Sequence, residues 1–398
     1  MCIEDNSMNI LFVMNTPFPY GHAFSSRARS FVKMFVSLNY KVHIICPYGP
    51  ENDGKQNFYC ENVFINYIYI RHKKLGLCGV GSSLPYLKAI KRVINNEKID
   101  LIFTNDVVFI FNDILKISKK NNIPYIIEQC EWYDPSMFKF GSLNPYYREH
   151  IKMLKKKCKQ VDGVIAISSF LENHYKSLNL KTIRVPSIID CQEYEFNHKS
   201  NLDTTISFVG SIGKGKEKFL PIFDALYRIN NKKRVILNIY GPSLKSILNN
   251  EKIDEQQFEK YKKYVNVEGR VKQELVKSII QKSDYTIFVR PRRRSSNAGF
   301  PTKLAESLAA GTPVITNDTS DIKMLISDSL DSYVVPNGTS DELYAVFQKI
   351  ISKKANEIDE MRNHARNTAV TVFDYRNYTM LVKDFFKSVY ENKKNDKK

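Results

Sequence analysis

Short apolar runs recur along the chain, each bounded by a polar or Gly/Pro-containing turn and followed by a longer stretch with helical spacing. Runs without polar alternation read as strands buried on both faces, the signature of a parallel sheet covered by helices. The first series predicts strands at Ile10–Met14, Val42–Cys46, Phe64–Ile70, Leu101–Thr104, Tyr125–Glu128, Gly163–Ile167 and Thr182–Val185, with helices such as Ser25–Leu38 and Asn144–Gln160 between them. A second series begins at Thr205–Gly210 and continues through Val235–Tyr240, Val265–Glu268, Tyr285–Val289, Val314–Thr316 and Ser332–Val335. Between them Asp190–Asp203 is polar and aperiodic, as a linker should be. The pattern predicts an α/β chain with one domain over 1–195 and another over 196–375. A C-terminal helix and basic tail at 376–398 are placed to pack back on the first domain.

Composition is compatible with this picture. The 398 residues suffice for two cores of ordinary size. No apolar stretch approaches the roughly 20 residues of a membrane span, and Met1–Asn6 lacks the basic start and apolar core of a secretion signal. Seven cysteines (Cys2, Cys46, Cys60, Cys78, Cys130, Cys158 and Cys191) include no C-x-x-C pair, which points to reduced thiols and a cytoplasmic setting rather than disulfides or zinc. The net charge of +18 changes the picture more, because it asks for an anionic partner. Basic residues gather at Arg71–Lys74, Lys152–Lys159, Arg290–Arg294 and in the tail from Lys393. No nucleic-acid-binding motif accompanies them, so an anionic membrane surface is the expected partner and nucleic acid is not.

The chemistry concentrates around Ala298-Gly299-Phe300-Pro301-Thr302-Lys303-Leu304-Ala305-Glu306-Ser307, followed by Leu-Ala-Ala-Gly-Thr-Pro-Val-Ile. Pro301 suits a first helical position, leaving the amides of Thr302 and Lys303 at the positive end of the helix dipole, where an anion fits. Gly299 lets a ligand approach the backbone, and Lys303 adds a full charge. Glu306, one turn on, lies on the same face and can accept ribose hydroxyls. Gly311 closes the helix. Upstream, Gly210-Ser211-Ile212-Gly213-Lys214-Gly215-Lys216 is a Gly-rich turn between strand and helix, where amides and the ammonium of Lys214 or Lys216 converge on phosphate. Arg290 ends a predicted strand, at the edge where open α/β sheets put ligands, and Pro291–Asn297 is expected as a mobile basic loop.

These residues resemble the donor-sugar signature of the GT-B glycosyltransferases, most closely the retaining family 4 (group 1) enzymes. In that family two Glu residues, with seven residues between them, precede "GTPVI". Glu306 matches the second, which holds the nucleotide ribose, and Ala298 stands at the first, which contacts the donor sugar. Ala166–Leu171, Arg184–Asp190 and Phe208–Lys216 resemble further family segments, with Ser211 at the position of the usual phosphate-binding Arg. The AGFPTK-x-x-E variant resembles a subgroup from bacterial capsule and surface-polysaccharide synthesis. The resemblance implies two doubly wound, Rossmann-like domains facing a cleft. It implies transfer from a nucleotide-diphosphate sugar to a glycan or lipid-linked acceptor, with retention and without a cofactor. Lysine, arginine and helix dipole would replace a metal at the leaving group, and Arg290 would supply the charge missing at Ser211.

By the same resemblance the first domain holds the acceptor. The loop Asn15–Ser26 contains Gly21 and His22 and leads to Arg27, which either binds acceptor phosphate or covers its helix face. Gly21 could approach the donor phosphate, and His22 is either an acid/base group or incidental. In Glu128-Gln129-Cys130-Glu131-Trp132-Tyr133-Asp134, the resemblance places Glu131 at an active-site acid, with Glu128 a weaker alternative. Trp132, the only Trp, is either a sugar or lipid platform or core. Two rival readings are a nucleotide-sugar epimerase on the same fold and a non-catalytic nucleotide-sugar-binding scaffold.

Overall fold

The computed structural model describes residues 7–21, 23–49, 61–69, 83–105, 107–196, 204–213, 215–230 and 235–395. His22, Lys214, Ile70 and the basic cluster Arg71–Lys74 lie outside the described residues. The chain divides into two units, Met1–Ile189 with Tyr375–Lys398, and Asp190–Asp374.

The first unit carries strands β1 (Asn9–Met14), β2 (Lys41–Pro47), β3 (Val63–Ile68), β4 (Leu101–Asn105), β5 (Tyr125–Gln129), β6 (Gly163–Ala166) and β7 (Thr182–Arg184). They form one parallel sheet in the order β3-β2-β1-β4-β5-β6-β7. β4 and β5 are buried along their whole length, because helices cover both faces of the sheet. On one face the Phe12 ring packs against Phe103 with centroids 4.8 Å apart, and Phe35 of the helix Ala23–Ser37 packs 5.4 Å from Phe386. Phe386 belongs to the last helix, Thr379–Asn395, so the chain's end completes the first core. That helix lies so close that a Cβ on Gly163 would meet the Phe385 ring at 2.8 Å. Lys393 adds an ion pair to Asp162 at 2.7 Å.

The second unit carries β8 (Thr204–Val209), β9 (Val235–Tyr240), β10 (Val265–Gly269), β11 (Tyr285–Phe288), β12 (Val314–Asn317) and β13 (Ser332–Val335). Its order is β10-β9-β8-β11-β12-β13, again all parallel. In each sheet the strand order reverses once, between β1 and β4 and between β8 and β11. Loops leaving the carboxyl ends of such a pair diverge and open a crevice, the usual ligand position of doubly wound sheets. In the second unit those loops are Gly210–Phe219 and Val289–Arg293.

Two local expectations are corrected. The basic segment after β11 is not a loop throughout: Arg294–Ala298 is a short helix with Ser295 and Ser296 buried. Pro301 is the cap residue of the next helix, with φ −76° and ψ 110°, so helical geometry begins at Thr302.

Candidate functional site

The crevice edge of the second unit is built of glycine. Gly210 follows β8 with φ +142° and Gly241 follows β9 with φ +119°. A Cβ on Gly241 would come within 2.1 Å of the Gly210 carbonyl, so no other residue fits there. Gly210 donates to Tyr240 O at 3.0 Å and Gly241 to Gly269 O at 2.7 Å, so the backbone of the two glycines itself forms this part of the rim.

The helix Thr302–Ala309 sits against this rim. Thr286 of β11 donates to Ser307 at 2.8 Å, which fixes the helix on the sheet and brings Lys303 over the strand ends. The Lys303 amine donates to Glu217 at 2.6 Å and lies 4.3 Å from the Phe208 ring centroid and 5.5 Å from that of Phe288. A Cβ on Gly210 would stand 3.5 Å from Lys303 Cε. Burial draws the Lys303 amine below its ordinary pKa. Glu217 opposes this, Arg290 adds to it, and Glu306 again opposes it. Four charged side chains therefore share one field.

Arg290 lies just beyond β11, its backbone clamped by Asn317, whose amide group accepts from Arg290 N and donates to Arg290 O, both at 2.8 Å. Arg290 is 7% exposed, and its Nη1 has no hydrogen-bond partner among the described residues. A buried guanidinium nitrogen without an acceptor is costly unless a ligand completes it. The helix beginning at Thr302 has no side-chain cap, so its positive end lies beside the same two cations.

The loop after β8 is anchored from three sides. Asn250 accepts from Gly215 N at 3.0 Å and donates to Glu217 O at 2.9 Å, while Glu251 takes the amides of Phe219 and Leu220. Arg293 donates to Gly215 O, and Lys218 N to Val289 O at 2.8 Å. Half-buried Lys216 folds back over Gly213, where a Cβ would meet it at 2.8 Å, and Ser211 is exposed. Gly299 ends the short helix with an ordinary φ of −86°. Phe300, within the signature run Ala298–Ser307, is buried against Phe373 with ring centroids 5.8 Å apart. Glu217, Gly241 and Asn317 were not anticipated. The glycine after each of β8 and β9 and the Asn closing β12 were the available signals.

In the first unit, Gly21 has φ +137° in a loop held by Ser25, which donates to Pro17 O at 2.7 Å, and by Tyr67, which donates to Phe18 O at 3.1 Å. Arg27 is corrected from an acceptor ligand to a structural tie. It is 1% exposed, pairs with Glu128, and donates to Val185 O at 2.8 Å and to Pro186 O. Asn105 donates to the other Glu128 oxygen at 2.5 Å, so the alternative carboxylate Glu128 is also committed. Burial alone pulls the Arg27 pKa down, but it ends raised, with the adjoining Glu128 carboxylate the chief opposing influence, so the charge is held. Burial likewise pushes the Cys130 thiol well up, keeping it neutral. Trp132 is core rather than platform, buried edge-on to Phe170 at 5.8 Å and His174 at 4.7 Å. Glu131 is half-buried, its carbonyl accepting from Gln129 at 2.8 Å. No group of three or more His, Cys, Asp or Glu side chains among the described residues is arranged to hold a metal.

A family described as Glycosyltransferase Family 4 matches residues 25–193, and one described as Glycosyl transferases group 1 matches residues 203–353. The protein is thus a glycosyltransferase of the group 1, family 4 type, with the GT-B fold. Among solved structures, HepE of Anabaena in complex with UDP and glucose has a TM-score of 0.71 at 14% identity, covering 96% of this chain and 100% of that one. Sucrose-phosphate synthase of Thermosynechococcus elongatus has a TM-score of 0.74 at 12% identity, with 97% and 100% coverage. A glycosyltransferase of Rickettsia africae has a TM-score of 0.70 at 15% identity, with 97% and 100% coverage. Comparison with curated protein sequences finds no match.

Proposed function

We propose that the enzyme transfers a sugar from a nucleotide-diphosphate donor bound at the carboxyl edge of the second sheet. The observation that carries this reading is the buried, unpartnered Nη1 of Arg290 beside Lys303 and the uncapped helix start at Thr302. A diphosphate satisfies all three at once, and Glu306, one turn from Lys303, is the residue we assign to the ribose hydroxyls. As the bond between the anomeric carbon and the phosphate oxygen breaks, negative charge builds on the departing diphosphate. Arg290 and Lys303 meet that charge in fixed positions, without a metal. The acceptor hydroxyl forms the new glycosidic bond, and its proton passes to the departing phosphate, with retention of configuration. HepE, which shares the fold, is recorded with UDP and glucose, which favours a nucleotide sugar here.

The acceptor we assign to the first unit, near Gly21 and Glu131, is a glycan or lipid-linked glycan of bacterial surface-polysaccharide synthesis, reached with the enzyme peripheral on an anionic membrane. The +18 charge supports that location. No helix among the described residues is long and apolar enough to cross a membrane. Turnover of a panel of nucleotide sugars, each with free and lipid-linked glycan acceptors, tests the proposal. Release of nucleoside diphosphate coupled to glycan extension is expected. Hydrolysis or epimerisation without acceptor extension overturns it.

A further inference from the structure

The first unit carries an apolar projection that its core does not use. After β5 the chain makes a 3-10 turn at Pro135–Met137 and another at Gly141–Leu143, before the helix Pro145–Lys155. Phe140 is 71% exposed and Leu143 73% exposed, among the most exposed large apolar side chains described. They are not on a frayed segment. Leu143 N donates to Phe140 O at 3.0 Å and Asn144 N to Gly141 O at 3.2 Å. The Asn144 side chain donates to Lys139 O and caps the following helix by accepting from Tyr146 N and Tyr147 N. Beneath them the Phe138 ring packs on Tyr133, Tyr146 and Tyr147 with centroids 5.6–5.9 Å apart. Neighbouring aromatics are therefore buttressed while Phe140 and Leu143 are held outward. Phe140 also takes a φ of +69°, a left-handed backbone that a bulky residue seldom adopts.

The charge around this projection specifies what covers it. Between Lys139 and Gln160 the chain holds seven basic residues (Lys139, Arg148, Lys152, Lys155, Lys156, Lys157 and Lys159) against the single acid Glu149. The Lys139 amine rests 5.2 Å from the Phe140 ring centroid. Arg148, Lys152 and Lys155 are exposed and fall at helical spacing on one stripe. Exposed Phe and Leu flanked by lysine match an anionic bilayer surface, where apolar tips enter the acyl boundary and ammonium groups stay among headgroup phosphates. A purely acidic protein or glycan partner would use the lysines but leave the two apolar tips in water.

We propose that Phe140 and Leu143 form a lipid-inserting wedge, seated by the basic helix behind it on an anionic membrane. This rests on the membrane location assigned above and gives it a contact point. The test is flotation of the full chain with vesicles of phosphatidylglycerol in phosphatidylcholine or of phosphatidylcholine alone, at low and high salt. Wild type should bind the anionic vesicles. The double variant Phe140→Ser/Leu143→Ser should partition about tenfold less well and lose whatever binding survives high salt. In Phe140→Trp, emission should shift to the blue on binding and be quenched by lipids brominated near the headgroup, since the native Trp132 is buried. Salt-sensitive binding that the Ser pair leaves unchanged, with no quenching of the new Trp, overturns the wedge and leaves an electrostatic membrane hold intact. Absence of wild-type binding to anionic vesicles overturns both.

Discussion

The Lys303 amine and the Glu217 carboxylate meet at 2.6 Å at the end of β8, and the second Glu217 oxygen has no hydrogen-bond partner among the described residues. Glu217 is 6% exposed, so this pair is more than a surface contact. Its effect is to oppose the burial that draws the Lys303 pKa down. In Glu217→Gln the amine should therefore lose its proton at a lower pH than in wild type. Nucleoside-diphosphate affinity, measured by titration between neutral and alkaline pH, should begin to fall earlier in the variant. Identical pH profiles would mean that Glu217 does not sustain the charge.

Arg27 and Glu128 make a different prediction. Removing one partner from a fully buried pair strands the other charge, at a cost of about 3–5 kcal/mol, while replacing both with apolar residues costs far less. Arg27→Met alone should lower the urea midpoint strongly, and Arg27→Met/Glu128→Leu should recover part of the loss. A single variant as stable as wild type would return Arg27 to consideration as a ligand contact.

The first unit should lose stability in acid through His150. This ring is fully buried, and burial lowers its pKa from the usual 6.5 to about 4. Between those values the unfolded chain binds the proton and the folded one does not, so stability falls as pH drops through 6.5 toward 4. The loss approaches about 3 kcal/mol below the folded value. His150→Phe should flatten this part of the urea midpoint against pH profile. An unchanged slope would assign the acid sensitivity to other groups.

Because arginine and lysine rather than carboxylates meet the proposed diphosphate, turnover should persist in excess EDTA. Activity lost on chelation and restored by manganese or magnesium would show that the leaving-group chemistry has been misassigned.

The strands were legible because parallel strands covered on both faces carry apolar runs without polar alternation. Asn9–Met14, with Ile-Leu-Phe-Val-Met in sequence, announces itself by composition. The helix at Thr302–Ala309 was legible from proline and glycine at its ends. What failed was pairing across long sequence separation. Arg27 looks like a surface residue of an early helical turn, and nothing local reveals that its carboxylate partner comes 101 residues later. Glu217 was equally silent, since its partner Lys303 is 86 residues away and the intervening lysines suggest only a charged turn. Ser295 and Ser296 concealed a buried helix, because serine does not advertise burial. Trp132 was ambiguous on its face, and the choice fell to its neighbours Phe170 and His174.

The central claim, that Arg290, Lys303 and Glu306 form a nucleoside-diphosphate site, is tested most directly by calorimetric titration of uridine and guanosine diphosphates into wild type, Arg290→Ala, Lys303→Ala and Glu306→Ala. The account predicts that wild type binds at least one of them without added metal, and that each variant weakens that binding by about 1.5–3 kcal/mol, the worth of a hydrogen bond to a charged group. Absence of binding to either diphosphate, or undiminished affinity in all three variants with the fold intact, would contradict it.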